Sequence, residues 1–183
     1  MKRIALAFAL ATAFSAQAVE YTQVQPDKSA INFVYKQMNV AVDGKFKRFS
    51  SQLSFDPAKP TAAKTSFDVE LASVDTGAQE GDDEVAGKPW FNTKAFPTAK
   101  FASTGVKALG GNKYEVAGQL NIKGKTQDVV VPATFTAQGN NGIFDGSFTI
   151  RRADFSIGEG SWAKFDIVAN DVLIKFRITA TSK

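Results

Sequence analysis

Residues 171–180 read DVLIKFRITA, and apolar and polar side chains alternate along this segment. One face would carry Val172, Ile174, Phe176, Ile178 and Ala180, and the other would carry Lys175, Arg177 and Thr179. An alternation of period two is typical of a β-strand that buries one face and exposes the other. The segment therefore predicts a strand near the end of the chain, in a sheet with one apolar face.

The same alternation recurs along most of the chain. It is clear at residues 29–37, 66–71, 112–123 and 143–151, and weaker at residues 44–55, 99–108 and 129–137. Turns rich in glycine and asparagine separate several of these segments, as in β-hairpins. Proline has no N–H for a strand ladder, so Pro132 should mark an edge or a bulge. Hairpin-linked strands of this kind predict an all-β fold, an antiparallel barrel of about eight strands, because closure removes exposed sheet edges.

One segment, residues 78–92, departs from this pattern and predicts a helical excursion. Its start is acidic, with Glu80 followed by residues 82–84, Asp-Asp-Glu. Negative charge at the beginning of a helix is favoured by the helix dipole. Pro89 should end or divide the helix, because proline cannot continue the hydrogen-bond ladder. The acids lack the spacing of a calcium loop, so we expect no metal site here.

The composition excludes many kinds of active site. The chain has no Cys and no His, which excludes disulfides, thiolate metal sites, cysteine nucleophiles and Ser-His-Asp triads. It has 16 Phe against 3 Tyr and 2 Trp, a surplus of purely apolar aromatic surface. A barrel of this size is either filled by side chains or holds one small ligand, and the sequence leaves both readings open. The inward-facing candidates are Phe33, Phe67, Phe101, Phe135, Phe144, Phe148 and Phe176.

Two basic sites lie beside aromatic residues. Lys45, Lys47 and Arg48 alternate with phenylalanines, and Arg152 precedes Phe155. Each is either an ordinary basic surface or a site for an anionic headgroup. Nucleic acid is not expected as a partner, because the first residues predict export and the remaining chain is nearly neutral. The glycine-containing run at residues 158–163 lacks the βαβ unit that dinucleotide binding requires.

The first 18 residues have the order of a secretory signal peptide. Lys2 and Arg3 precede the apolar residues 4–14, and Ala16-Gln17-Ala18 forms a small-x-small cleavage site. Cleavage after Ala18 leaves 20 basic against 18 acidic residues, a net charge of +2. The apolar run is shorter than the ~20 residues that span a bilayer. We therefore expect a soluble domain at residues 19–183 that is exported, in a bacterium to the periplasm.

Several motifs together resemble the YceI-like, lipocalin-like family. They include Ser29-Ala-Ile-Asn-Phe33, Phe96-Pro-Thr-Ala-Lys-Phe101 and the run from Gly118 to Thr126. The late motif Thr149-Ile-Arg-Arg-Ala-Asp-Phe-Ser-Ile157 completes the match, which covers the exported chain in order. Two positions depart from the family pattern, since Glu84 stands where many members have His, and Ser156 stands where they have Gly.

The resemblance implies a barrel that encloses a long apolar tunnel and binds an isoprenoid, as a polyprenyl chain or polyprenyl quinone. It implies no catalysis and no cofactor. Family-typical positions in this sequence are Asp82, Phe91, Arg152, Asp154 and Phe155, of which Phe91 and Phe155 join the tunnel candidates. Arg152 and the cluster at Lys45, Lys47 and Arg48 are the headgroup candidates.

Two other functions stay open from the sequence. One is binding of other amphiphiles, such as fatty amides or drugs, and the lower-ranked one is a carboxylate-dependent hydrolase. As a lipid carrier, the protein would touch a membrane or a membrane redox protein transiently. The sequence leaves the oligomeric state open, a homodimer included.

The exported form should begin at Val19, because the cleavage pattern ends at Ala18. The intact mass of protein recovered from the periplasm measures this directly. A mass that includes residues 1–18 would contradict the export hypothesis.

Overall fold

The alternating segments form strands throughout residues 19–182, the range that this computed structural model describes. The predicted signal peptide lies outside the described residues. The strands are β1 (Tyr21–Val24), β2 (Ala30–Gln37), β3 (Val40–Phe46), β4 (Phe49–Ser54), β5 (Lys64–Glu70), β6 (Val74–Asp75), β7 (Thr98–Gly110), β8 (Lys113–Ile122), β9 (Lys125–Gln138), β10 (Asn141–Arg151) and β11 (Asp171–Ser182), and the α-helix is α1 (Gln79–Ala86). Within this range no helix has both the length and the apolar character needed to cross a membrane.

All the strands belong to one antiparallel sheet. Its order is β4-β5-β7-β8-β9-β10-β11-β2-β3-β6, and β1 adds to β11. At one end the sheet is tied by Tyr21 and Phe55, whose main chains exchange hydrogen bonds of 2.9 and 3.1 Å. At the other end the chain leaves β5 through a short 3-10 turn and enters β6, which pairs with β3. The sheet curls into a shell, and the prediction of an all-β, lipocalin-like antiparallel fold is confirmed.

The strand count differs from the predicted value of about eight. Residues 44–55 do not form one strand, because β3 ends at Phe46 and β4 begins at Phe49. The main-chain N–H groups of Lys47 and Arg48, at the corner between them, bond to the carbonyl and the hydroxyl of Ser73, each at 3.0 Å. Strands β1 and β6 have four and two residues, which is too short for an alternation to be recognised.

The helix is shorter than the predicted excursion at residues 78–92. It ends at Ala86, and Gly87 follows in an extended conformation, so Pro89 stands outside the helix. Asp82 in the first turn accepts hydrogen bonds from the N–H and the hydroxyl of Thr76, at 2.7 and 2.8 Å. The N–H of Phe91 bonds to Val85 at 2.9 Å, which folds the segment after the helix back onto it.

Pro132 lies inside β9, at the point where one ladder ends. It pairs with Glu115 of β8, whereas the ladder between β9 and β10 stops one residue later, at Ala133 and Gly146. Proline costs little stability at this position, because no residue of β10 pairs with it and its missing N–H therefore breaks no hydrogen bond to β10.

Phenylalanine rings inside the shell lie over glycines of neighbouring strands. Phe176 is directly opposite Gly146, and Phe33 is directly opposite Gly44. In both pairs a Cβ at the glycine would overlap the tip of the ring. The rings therefore lie along the wall rather than across the barrel, which leaves the middle open.

We predict that Gly146→Ala destabilises the fold by about 1–3 kcal/mol, as overpacked core sites do. The added methyl group would overlap the Phe176 ring and also the carbonyl oxygen of Pro132, which is main chain and cannot rotate away. Thermal and urea unfolding would measure the change. The matched control is Gly105→Ala, since nothing lies within 4 Å of a Cβ there. Equal stability of the two variants would contradict the prediction.

Candidate ligand-binding site

The interior of the shell is hollow. Two cavities of about 170 and 380 Å³ lie end to end. They are adjacent, because both are lined by Ile31, Val69, Leu120, Phe148 and Ile174. Their combined volume falls within the ~300–1,000 Å³ that small-molecule pockets usually have.

The cavity wall contains seven of the nine phenylalanines that the sequence suggested. These are Phe33, Phe67, Phe91, Phe101, Phe144, Phe148 and Phe176. All except Phe33 are only partly buried, although they face the inside of the barrel. Inward-facing aromatic side chains in a packed core would be fully excluded from solvent. Their partial burial shows that the centre is a void rather than a packed core.

Phe135 and Phe155 lie outside the cavity lining. Phe135 belongs to an aromatic cluster at the end of the barrel near β1, where ring centroids lie 5.0–5.3 Å apart. Its members are Tyr21, Phe55, Tyr114, Phe135 and Phe144. Phe155 is 2% exposed and packs in the main core cluster at the opposite end. These two residues support the walls and do not face the void.

The opposite end of the cavity, between α1 and the β2–β3 hairpin, is its mouth. Three exposed polar residues line the cavity there, namely Gln37, Glu80 and Glu84, whereas the lining of the other cavity has one exposed residue, Lys64. Tyr35, Thr76 and the buried Arg152 are also polar lining residues of the mouth. Burial, and then the charge of Asp82, raise the pKa of the Tyr35 hydroxyl, so it stays protonated as a hydrogen-bond donor. The mouth thus offers carboxylates, an amide and neutral hydroxyls to a ligand.

The basic cluster at Lys45, Lys47 and Arg48 lies outside this mouth. Lys45 and Lys47 are about half exposed and pair with Asp75 at 3.8 and 3.2 Å. Arg48 pairs with Glu70 on the surface through two hydrogen bonds of 2.7 and 2.6 Å. None of the three residues lines either cavity.

Arg152, the other headgroup candidate, is buried beside the mouth with 1% exposure. Its guanidinium donates to six main-chain carbonyls at 2.7–3.1 Å, those of residues 157, 158, 162, 164, 168 and 169. It also lies against the rings of Trp90 and Phe165, at 5.4 and 5.0 Å. Every N–H of the side chain is therefore occupied, so Arg152 organises the loop and offers no free donor to a headgroup.

The loop that Arg152 holds, residues 157–169, forms one side of the mouth and carries Trp162 and Val168 into its lining. Gly158 has a φ of +80°, and a Cβ there would overlap the Arg152 guanidinium. This position needs glycine for both reasons. Residues 160–162 form a 3-10 turn in this loop, consistent with the exclusion of a dinucleotide motif.

The whole cavity lies within one recognisable family domain. A family model described as the YceI-like domain matches residues 22–180. The chain belongs to the YceI-like family. A curated relative from Azotobacter vinelandii, named only as a UPF0312 protein, is 33% identical over 162 residues and covers 84% of each chain.

Solved structures share the YceI-like fold. BcnA from Burkholderia cenocepacia matches with a TM-score of 0.85 and 45% identity, over 87% of this chain and 100% of that one. A polyisoprenoid-binding domain from Saccharophagus degradans matches with a TM-score of 0.71 and 16% identity, over 90% of this chain and 99% of that one.

At the two positions that depart from the YceI-like pattern, Glu84 forms a side-chain hydrogen bond and Ser156 adopts an unusual backbone conformation. Glu84 accepts a hydrogen bond from the indole N–H of Trp90 at 3.1 Å, which links α1 to the aromatic pair after it. Ser156 has φ 54° and ψ 37°, the left-handed conformation that glycine adopts without strain.

Sequence reasoning missed several residues of the YceI-like cavity wall. Tyr35 has the inward parity of Ile31 and Phe33, so the alternation along β2 contained the signal. The prediction of a single strand at residues 44–55 hid the inward direction of Phe46. Trp162 lies in an irregular loop, where no periodicity predicts its direction.

Arg152→Gln should lower the free energy of unfolding by about 2–4 kcal/mol, because it leaves buried carbonyls without donors. Thermal unfolding monitored by circular dichroism would measure the loss. The matched control is Arg151→Gln, since the Arg151 side chain is 65% exposed and pairs with Asp154 on the surface. Its loss should cost less than about 1 kcal/mol. An unchanged melting temperature for Arg152→Gln would contradict a structural role.

Proposed function

We propose that this protein is a non-catalytic carrier that binds a long isoprenoid lipid inside the barrel and acts in the periplasm. The observation that carries the proposal is the pair of adjacent apolar cavities, walled by partly buried phenylalanines. Such a wall suits a hydrocarbon chain, because it is apolar and stiff and leaves no hydrogen bond unmet. The fold shared with a polyisoprenoid-binding domain from Saccharophagus degradans also supports the proposal.

The energy of binding favours a carrier over permanent storage. Burying ~40 carbons at ~0.8 kcal/mol each corresponds to a gross gain of ~30 kcal/mol from water. This exceeds the practical ceiling of ~18–21 kcal/mol for non-covalent affinity, so chain ordering must offset part of it. The surroundings of the lipid are equally apolar when it lies in a membrane. Transfer between membrane and cavity is therefore nearly balanced, which suits loading and release.

The lining of the mouth favours an uncharged headgroup. Its charged residues are Glu80, Glu84 and Arg152, and the guanidinium of Arg152 is fully occupied by carbonyls. At this end of the cavity a pyrophosphate would meet two carboxylates and no free cation. A quinone or hydroxyl headgroup would instead find the Tyr35 hydroxyl and the Gln37 amide as partners. The acidic mouth thus supports a polyprenol or polyprenyl quinone.

The same two carboxylates favour a second candidate function. An amphiphile with an amine headgroup would pair with Glu80 or Glu84 while its chain fills the apolar cavity. In that case the protein would sequester cationic amphiphiles, drugs among them. Mass spectrometry of an organic extract of the purified protein would distinguish this ligand class from isoprenoids.

We expect affinity to follow chain length more than headgroup. Shortening the isoprenoid should weaken binding stepwise, because each lost carbon removes buried apolar area. Exchanging one uncharged headgroup for another should matter little, since one hydrogen bond contributes about 0.5–1.5 kcal/mol. Fluorescence titration with polyprenyl alcohols, quinones, amines and pyrophosphates of matched lengths would measure both dependences. Affinity that ignores chain length would contradict the proposal.

Two variants of β10 test the location of the chain. Phe148 lines both cavities, whereas Thr149 is exposed on the other face of the same strand. Phe148→Arg should abolish lipid binding by placing a charge in the void, and Thr149→Arg should leave it unchanged. Normal binding by a folded Phe148→Arg protein would place the ligand elsewhere.

A further inference from the structure

An exposed apolar surface lies beside the cavity mouth. Met38 and Val40 are 71% and 64% exposed, and Phe165 and Ile167 are 47% and 39% exposed. We call these four residues the rim patch. The two segments are joined by main-chain contacts, since the Met38 N–H donates to the Ile167 carbonyl at 2.7 Å and Gln37 forms a β-bridge with Val168. The patch is therefore one ordered surface built from the β2–β3 hairpin tip and the loop that Arg152 holds.

Met38 occupies a position where folding alone favours another residue. It has a φ of +49°, and Asn39 after it has a φ of +64°, the geometry of a two-residue hairpin turn. Asn, Asp and Gly are favoured at such positions, and a long apolar side chain at a solvent-exposed tip adds strain without burial. The methionine therefore indicates that this side chain contacts another molecule.

The rim patch is continuous with the ligand cavity. Gln37 and Val168, which line the mouth, are the direct neighbours of Met38 and Ile167 along the chain. Val40 pairs with Gln37 across the hairpin, so both residues belong to the face of the sheet that lines the cavity. A lipid that leaves the cavity past these residues would touch the patch before it reached water.

Two lysines flank the rim patch. Lys36 and Lys164 are exposed and form no ion pair within residues 19–182. Two acids lie nearby, Asp166 in the same loop segment and Asp43 diagonal to Lys36 on β3. The carboxylates Glu80 and Glu84 lie on α1, on the other side. Apolar side chains flanked by lysines match the interface of an anionic bilayer, where lysines meet phosphates and apolar groups enter the acyl boundary.

We propose that the rim patch docks the mouth of the barrel onto the surface of an anionic lipid bilayer, so that the isoprenoid passes between membrane and cavity without crossing water. This inference rests on the proposed carrier function. To that function it adds a docking surface, a bilayer as the partner, and an orientation on the membrane. The β2–β3 tip and residues 165–167 face the membrane, and α1 faces away from it.

The test compares three variants for flotation with vesicles of phosphatidylethanolamine and phosphatidylglycerol. Met38→Asn/Val40→Thr removes the hairpin half of the patch with residues suited to a turn and a strand. Ile167→Thr shortens the loop half and leaves Phe165 in place against Arg152. The control is Leu109→Asn/Val130→Thr, because those residues are 50% and 59% exposed but lie away from the mouth. Each patch variant should partition about tenfold less onto vesicles, and the control should not change. Lys36→Gln or Lys164→Gln should weaken partitioning about fivefold, and only when phosphatidylglycerol is present.

A parallel titration with detergent-solubilised polyprenyl quinone separates this inference from the carrier function. Patch variants should bind the solubilised lipid normally and extract it from vesicles more slowly. Absence of quinone binding by the unmodified protein would contradict the carrier function, whatever the vesicle result. Equal vesicle binding by patch and control variants would overturn the docking surface. So would a dimer, detected by light scattering, that disappears in the patch variants, since the patch would then bind a second copy.

Discussion

The buried guanidinium of Arg152 holds together the end of the barrel where the ligand would enter. Its bonds to six carbonyls replace the regular hydrogen bonds that residues 157–169 lack as a loop. Trp90 and Phe165 cover it on two sides, so a charge is kept out of water at a position with 1% exposure. Such a charge is tolerated only when every donor is satisfied. The cavity mouth and the rim patch both depend on this arrangement.

A second constraint keeps the barrel hollow. Phenylalanines would normally fill an interior of this size, and here several lie flat because the opposite strand offers glycine. In the pairs of Phe176 with Gly146 and Phe33 with Gly44, each ring lies over the glycine, so it lines the cavity and does not fill it. The fold gives up packing energy at its centre, and the aromatic cluster around Phe55 and the core around Phe155 supply dense packing at the two ends.

The charged side chains at and around the mouth differ in whether they form ion pairs. Basic residues near the β3–β4 corner are paired with Asp75 and Glu70, whereas Glu80 and Glu84 line the opening. The apolar rim patch faces the other side, between two lysines. A mouth with one acidic side and one apolar side flanked by lysines would suit a ligand whose chain comes from a membrane and whose head carries no negative charge.

Local periodicity in the sequence determined the strands and the inward direction of most phenylalanines, because a strand's two faces alternate whatever its neighbours are. The family followed from the sequence motifs. Periodicity predicted six of the seven expected phenylalanines that line the cavity, and the seventh, Phe91, came from the family resemblance. It could not decide the role of Arg152, whose six acceptors lie in a loop without periodicity, or the break between Phe46 and Phe49, which depends on Ser73 from a distant turn. Whether the centre is void also depends on tertiary structure, because only the pairing register brings each phenyl ring over a glycine of another strand.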